Sequence, residues 1–229
     1  MKALSLRFAA VPILLMIAMT AIAQEGYLGE APTRTILKAQ EKADAYFAKG
    51  NFGKAMSIYR DDLAPVGDKY AQYMVGYMNL AGNGVPQDAI IASAWYRLAA
   101  QRENDQYMRI RDGLLSLFND AQRARSDLLY IDLRRKMGDL VLVHKLIRDD
   151  IEVLHRRTGT EMFQQDIERG NYGQQLDVFD AAVARIESRL EFLQRQIELE
   201  TTLDDAEQGV LEKLIHEAER EVEAYRASR

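Results

Sequence analysis

Apolar side chains recur three and four positions apart in nearly every window after Arg34, and strand-like alternation is hard to find. That period predicts helix from end to end, an all-α protein. Breaks fall at Gly50-Asn51, at Ala64-Pro65-Val66-Gly67-Asp68, at Gly82-Asn83-Gly84-Val85-Pro86, at Thr158-Gly159-Thr160 and at Gly170-Asn171-Tyr172-Gly173. They divide the first third into short helices and leave long ones afterwards. Two antiparallel helix pairs of roughly 34 residues each, the period of a helical solenoid, are expected between Arg34 and Gln101.

Beyond Leu114 the pattern narrows. Apolar positions run Leu117, Ala121, Ala124, Leu128 and Ile131, change register, and continue as Leu133, Met137, Leu140, His144, Ile147, Ile151 and Leu154. A second seam runs Leu176, Phe179, Val183, Ile186, Leu190, Leu193 and Ile197, with Glu and Arg crowding its flanks. Alternating three-four spacing of this kind is that of a coiled coil. A further helix is expected near Thr202, where Thr202 and Asp205 have capping-box spacing, presenting Leu211, Leu214, Ala218, Val222 and Tyr225. Gly113 and Gly138 are the expected bends of the long middle helix. The helices fold back as an elongated bundle, closed within one chain or between two. The uninterrupted seam suggests a homodimer through residues 176–225.

Residues 70–101 carry a denser pattern, with Gly82, Gly84, Val85 and Asp88 in the loop and Ala92, Trp95, Tyr96, Ala99 and Ala100 on the following helix. The glycines suit a tight interhelical turn, Asp88 suits a helix cap, and the alanines admit close helix approach around Trp95. Trp95 is read as core and not as a ligand-stacking residue. This stretch resembles a Sel1-like repeat, with Val75 and Asn79 departing from the pattern. Residues 43–65 resemble a tetratricopeptide repeat through Ala43, Tyr46, Gly50, Phe52, Ala55, Tyr59 and Pro65. The chain is therefore expected to hold a repeat region at 34–104, followed by a long-helix bundle or coiled coil at 105–229. The resemblance implies a grooved helical surface for a partner's peptide or helix. Tyr70, Tyr73, Tyr77 and Leu80 share one face of the first Sel1-like helix by their spacing. The preceding repeat would add Gln40, Asp44 and Phe47 to the same groove. Against this stands burial of the stripe by the helix after Asp105, since short solenoids need capping.

The amino terminus changes the address. Lys2 and Arg7 precede an apolar stretch from Phe8 to Ile22 that ends in Ala21-Ile22-Ala23, the layout of a secretory signal peptide over residues 1–23. The stretch is short for a membrane-spanning helix, which needs about 20 residues. No stable membrane anchor is expected, and the mature chain should begin at Gln24, periplasmic or secreted. The formal charge is −5, and cleavage removes two basic side chains and no acidic one. Such a chain is a poor partner for nucleic acid. It has no cysteine, so acylation at a cysteine, disulfides and thiolate chemistry are all excluded.

Among the three histidines, His144 lies on a seam, His155 near a helix end, and His216 beside Glu217 without a second histidine four residues on. That gives no zinc-protease face. Glu191, Glu198 and Glu200 sit on charged faces where solvation, not a raised pKa, is expected. No cofactor, metal site or catalytic constellation is expected, and the chain is read as no enzyme. The expected function is an adaptor for a protein or peptide partner in the cell envelope. The alternative is a structural coiled-coil oligomer capped by the repeats.

Overall fold

The structure, a computed structural model, describes residues 32–156 and 172–227, which form helices and turns without a strand. The fold is all-α. The expected signal peptide and its cleavage site, the expected turn at Thr158-Gly159-Thr160, Gly170-Asn171 and the side chain of Leu176 lie outside the described residues.

The first helix, α1, spans Arg34–Ala48. Next comes α2, Phe52–Ser57, which runs on through a π-helical turn, Ile58–Leu63, and a 3-10 turn, Ala64–Val66. Then α3, Lys69–Ala81, and α4, Ala89–Ala99, form an antiparallel pair. At its open end Lys69 Nζ donates to the Leu98 carbonyl at 2.8 Å, and at its closed end the Asp88 amide donates to the Asn79 carbonyl at 2.9 Å. Asp88 caps α4 through Oδ1, which accepts from the amides of Ile90 and Ile91. Gly76 lets the two helices meet, because a Cβ there would stand 2.8 Å from the Tyr96 ring. Gly84 likewise packs on the Phe52 backbone at φ +77°, a conformation that suits glycine. Asn79 is buried with its amide donating to the Val75 carbonyl, so the departure from the repeat pattern there is locally satisfied.

The chain continues as α5, Asp105–Ser116, and α6, Asp120–Met137. The rest is α7, Asp139–His155, α8, Tyr172–Leu199, and α9, Asp205–Ala227. The single long middle helix expected from the sequence is thus three helices. A capping box at Asn119 and Gln122 starts α6 anew, and Gly138, in extended conformation, separates α6 from α7. Gly113 lies inside α5. The expected seam fails here: Leu117 is 78% and Leu128 70% exposed. Instead α6 buries Ser126, Tyr130 and Arg134 at four-residue spacing. The stripe is polar because its contacts are hydrogen bonds, beginning with the Ser93 and Ser126 hydroxyls 2.7 Å apart.

Two main cores result. One gathers Ala43, Tyr59, Leu63, Val75, Met78, Trp95 and Leu98 and ends at Tyr130, so α6 packs with the helices from α1 to α4. The other joins Leu140, Val143, Ile147, Ile151 and Leu154 of α7 to Phe179, Ile186 and Leu193 of α8 and to Leu211, Leu214, Ala218, Val222 and Tyr225 of α9. The seams that suggested a coiled coil face one another within a single chain. Val143 and not His144 fills the α7 position; His144 stands at its edge, where burial and Arg148 lower its pKa. The cap of α9 is also shifted: Asp204, not Thr202, accepts from the Glu207 amide at 2.8 Å, and Glu207 accepts from the Asp204 amide.

A buried ion cluster ties the cores together. Asp139, at the start of α7, accepts from Lys69 at 3.0 Å and from Arg102 in bidentate fashion, at 2.9 and 3.0 Å. Burial alone would raise the Asp139 pKa, but Lys69 and Arg102 outweigh it and hold the carboxyl below its ordinary value. Burial acts on Lys69 in the opposite sense and lowers its ammonium from 10.5 to about 8, Asp139 offsetting only part of that effect. Gly67, at φ +82°, gives this junction room, since a Cβ there would lie 2.6 Å from Leu142 and 3.1 Å from Arg102.

Three predictions follow from this packing. Asp139→Asn leaves two buried cations short of a counter-charge and should cost about 3 to 5 kcal/mol in denaturant unfolding. Trp95 is 6% exposed, and Trp95→Ala should cost about 3 to 5 kcal/mol by the same measurement. Between pH 8 and 10 the folded chain releases the Lys69 proton while the unfolded chain keeps it, so stability should rise with pH by about 1 to 3 kcal/mol. Above pH 10 the sign reverses, because Tyr59 and Tyr70 have raised pKa values in the fold and ionise first in the unfolded chain. Melts across that range should show the rise in the parent and lose it in Lys69→Met.

Candidate partner-binding groove

Helices α1 and α3 meet through side chains. Gln40 donates to Asp68 Oδ2, Asp44 accepts from the Tyr70 hydroxyl at 3.2 Å, and the rings of Phe47 and Tyr77 stand 6.1 Å apart. Asp44 and Phe47 therefore lie against the expected stripe on α3, while Gln40 meets the Asp68 cap that precedes it. The π-helical turn adds Tyr59, whose hydroxyl also donates to Asp44 Oδ1 and whose ring meets Tyr70 edge to face at 6.0 Å. A π turn rotates the side chains that follow relative to an α-helix, which brings a core tyrosine round to α1.

The stripe itself is half-buried: Tyr70, Tyr73, Tyr77 and Leu80 are neither fully covered nor free. Tyr73 does not point clear of α4, since its ring lies 5.6 Å from that of Tyr96. On its other side α5 stacks Tyr107 against it at 5.2 Å and 20° between planes. The helix after Asp105 thus covers Tyr73 as capping required, while Tyr77 keeps Phe47 as its aromatic neighbour. Phe47 in turn packs edge-on against Phe52 at 5.2 Å. Phe52, Phe47 and Tyr77 form one aromatic row, and Tyr96, Tyr73 and Tyr107 a second, in which Tyr96 and Tyr107 are buried.

Burial pushes the Tyr70 hydroxyl pKa up, and Asp44 pushes it the same way. Burial also raises Tyr73 and Tyr107, with Asp68 adding to the latter. These hydroxyls stay protonated and can donate. Sequence spacing found the α1 and α3 residues but missed Tyr59, Asp68, Tyr96 and Tyr107. Asp68 reads as a helix cap, which it is, through Oδ1 and the Ala71 amide at 3.0 Å. Tyr107 was reachable only as the first inward position of a helix whose partner was unknown.

Outside this face, clefts of about 280 and 290 Å³ flank Arg97 between α5 and α6, the first bounded by Gln196, Leu199 and Glu200 at the end of α8. Arg97 lies over the Tyr130 ring at 4.2 Å and pairs with Asp127. His155 pairs with Glu221 at 3.0 Å, and the His216 side chain is 92% exposed. No group of three or more metal-binding side chains occurs among the described residues. No described helix is long and apolar enough to cross a membrane. Comparison with protein-family models gives no match, and neither the curated proteins nor the solved structures give one.

Proposed function

We propose that the protein is an exported adaptor of the cell envelope, periplasmic or secreted, whose repeat-like helix pairs present the groove of α1 and α3 to a protein or peptide partner. The resemblance of residues 70–101 to a Sel1-like repeat supports a docking role. The observation that carries it is the arrangement of Gln40, Asp44, Phe47, Tyr70, Tyr73, Tyr77 and Leu80 into one half-exposed aromatic surface. Tyrosine suits such a surface because it offers contact area at low entropic cost and keeps a polar tip. The rival reading, a coiled-coil oligomer joined through 176–225, loses its motive where Phe179, Ile186, Leu193, Leu214 and Val222 are buried against α7 in the same chain.

Tyr77→Ala is the sharper test of the groove, because Tyr73 also supports Tyr107 and Tyr96. Capture of the partner from envelope extract by the mature chain should fall at least tenfold, with a melting temperature within about 3 °C of the parent, a loss below about 1 kcal/mol. Unchanged capture would move the docking site elsewhere.

A further inference from the structure

We infer that the cleft where α4, α5 and α6 meet binds a phosphoryl oxyanion, free or carried by a small organic molecule, an inference independent of the α1–α3 face. Each helix sends one arginine to the same opening of about 290 Å³: Arg97 from α4, Arg111 from α5 and Arg123 from α6. Leu115, one turn beyond Arg111, and Asp127, one turn beyond Arg123, complete the lining. The carboxylates nearby leave a surplus of positive charge. Asp127 is the acid of the lining, and it pairs with Arg97. Asp112 pairs with its neighbour Arg111 from outside the lining, and with a side chain 62% exposed that pair holds weakly. Arg123 gives its Nε to a neutral acceptor, the Phe118 carbonyl at 3.2 Å, which turns the side chain back across the α5–α6 turn. Asp120, one turn before Arg123, is exposed and outside the lining.

The free donors decide which anion fits. Among the described residues no acceptor takes Arg97 Nε or Nη2, Arg111 Nη1, or either Nη of Arg123. Guanidinium forks match carboxylate and phosphate oxygens alike. A carboxylate is planar, however, and one or two forks fill it, whereas forks from three helices surround a tetrahedral group with three acceptor oxygens. Arg97 makes the floor of that cradle, 16% exposed and held 4.2 Å over the Tyr130 ring. The second cleft, of about 280 Å³, shares Arg97 and Arg111 and offers Met108, Leu199 and Tyr130 to an organic carrier. Its acids keep the anion on the Arg123 side. Glu200 already accepts from the Tyr130 hydroxyl and from the Thr202 amide and hydroxyl, and Glu103 is exposed.

Phosphorus NMR of inorganic phosphate and of phenyl phosphate, titrated with the mature chain at constant ionic strength, tests the site, with acetate as competitor. Both phosphorus resonances should shift saturably, and acetate at equal concentration should displace neither. Tighter binding of phenyl phosphate identifies an organic carrier lying in the second cleft; equal affinities identify the free anion. Arg123→Gln and Arg111→Gln should each weaken binding at least about tenfold, the loss of one charge-assisted contact, with the melting temperature unchanged. Arg125→Gln, exposed on α6 and outside the lining, should leave binding as it is. No saturable shift at millimolar phosphate overturns the site. So does acetate competing as well as phosphate, or Arg125→Gln weakening binding as much as Arg123→Gln, since either marks diffuse surface charge.

Discussion

The two main cores are joined by a carboxylate at the start of α7 that Lys69 and Arg102 enclose. Charges taken out of water cost several kcal/mol each, and the cost is recovered only when geometry and hydrogen bonding are complete. Here they are: Asp139 takes Lys69 and both ends of the Arg102 guanidinium, and its own amide donates to Gln101 Oε1 at 3.1 Å. Gln101 also accepts from Lys69 and donates to the Tyr130 hydroxyl, which donates to Glu200 beyond the end of α8. One connected network therefore links α3, the turn after α4, α6, α7 and the loop before α9. An apolar contact would permit sliding; this arrangement fixes α7 at one angle to the repeats.

That constraint reaches the groove because Lys69 and Tyr70 are consecutive residues of one helix. With the first held from behind, the second has no freedom to roll, and the spacing of Tyr73 and Tyr77 carries the same orientation along α3. A second lock acts from α1, where Asp44 receives hydroxyls from the π turn and from α3 together. The Tyr59 and Tyr70 side chains are thereby held together against α1.

What the sequence made legible followed local rules. The loop at Gly82, the cap at Asp88, burial of Trp95 and the whole inward stripe of α9 from Leu211 to Tyr225 agree with the structure. Asp44 and Phe47 do stand against Tyr70 and Tyr77, whereas Gln40 reaches Asp68 instead. What stayed hidden was carried by polar atoms across long sequence separations. Lys69 and Asp139 lie seventy positions apart and read as solvated charges. Arg134, buried on α6, bonds Glu207 and the Thr202 carbonyl, and no hydrophobic pattern marks it. The same blindness made Leu117 and Leu128 appear to be a seam, since an apolar spacing says which residues share a face but not which face is covered.

Helix α5 is where these two limits meet. Its inward anchor is a small core of Ala99, Ala100 and Tyr107, with Met108 and Tyr73 against it, whereas its far end carries the exposed Leu117. Asn104 caps its first turn by accepting from the amides of Gln106 and Tyr107, which fixes the very residue that stacks on Tyr73. Position is therefore concentrated in one turn of the helix. The Tyr73–Tyr107 stack sets how far α5 stands from α3. Tyr107 covers Tyr73, and the half-buried pair of Phe47 and Tyr77 packs ring against ring farther along α3.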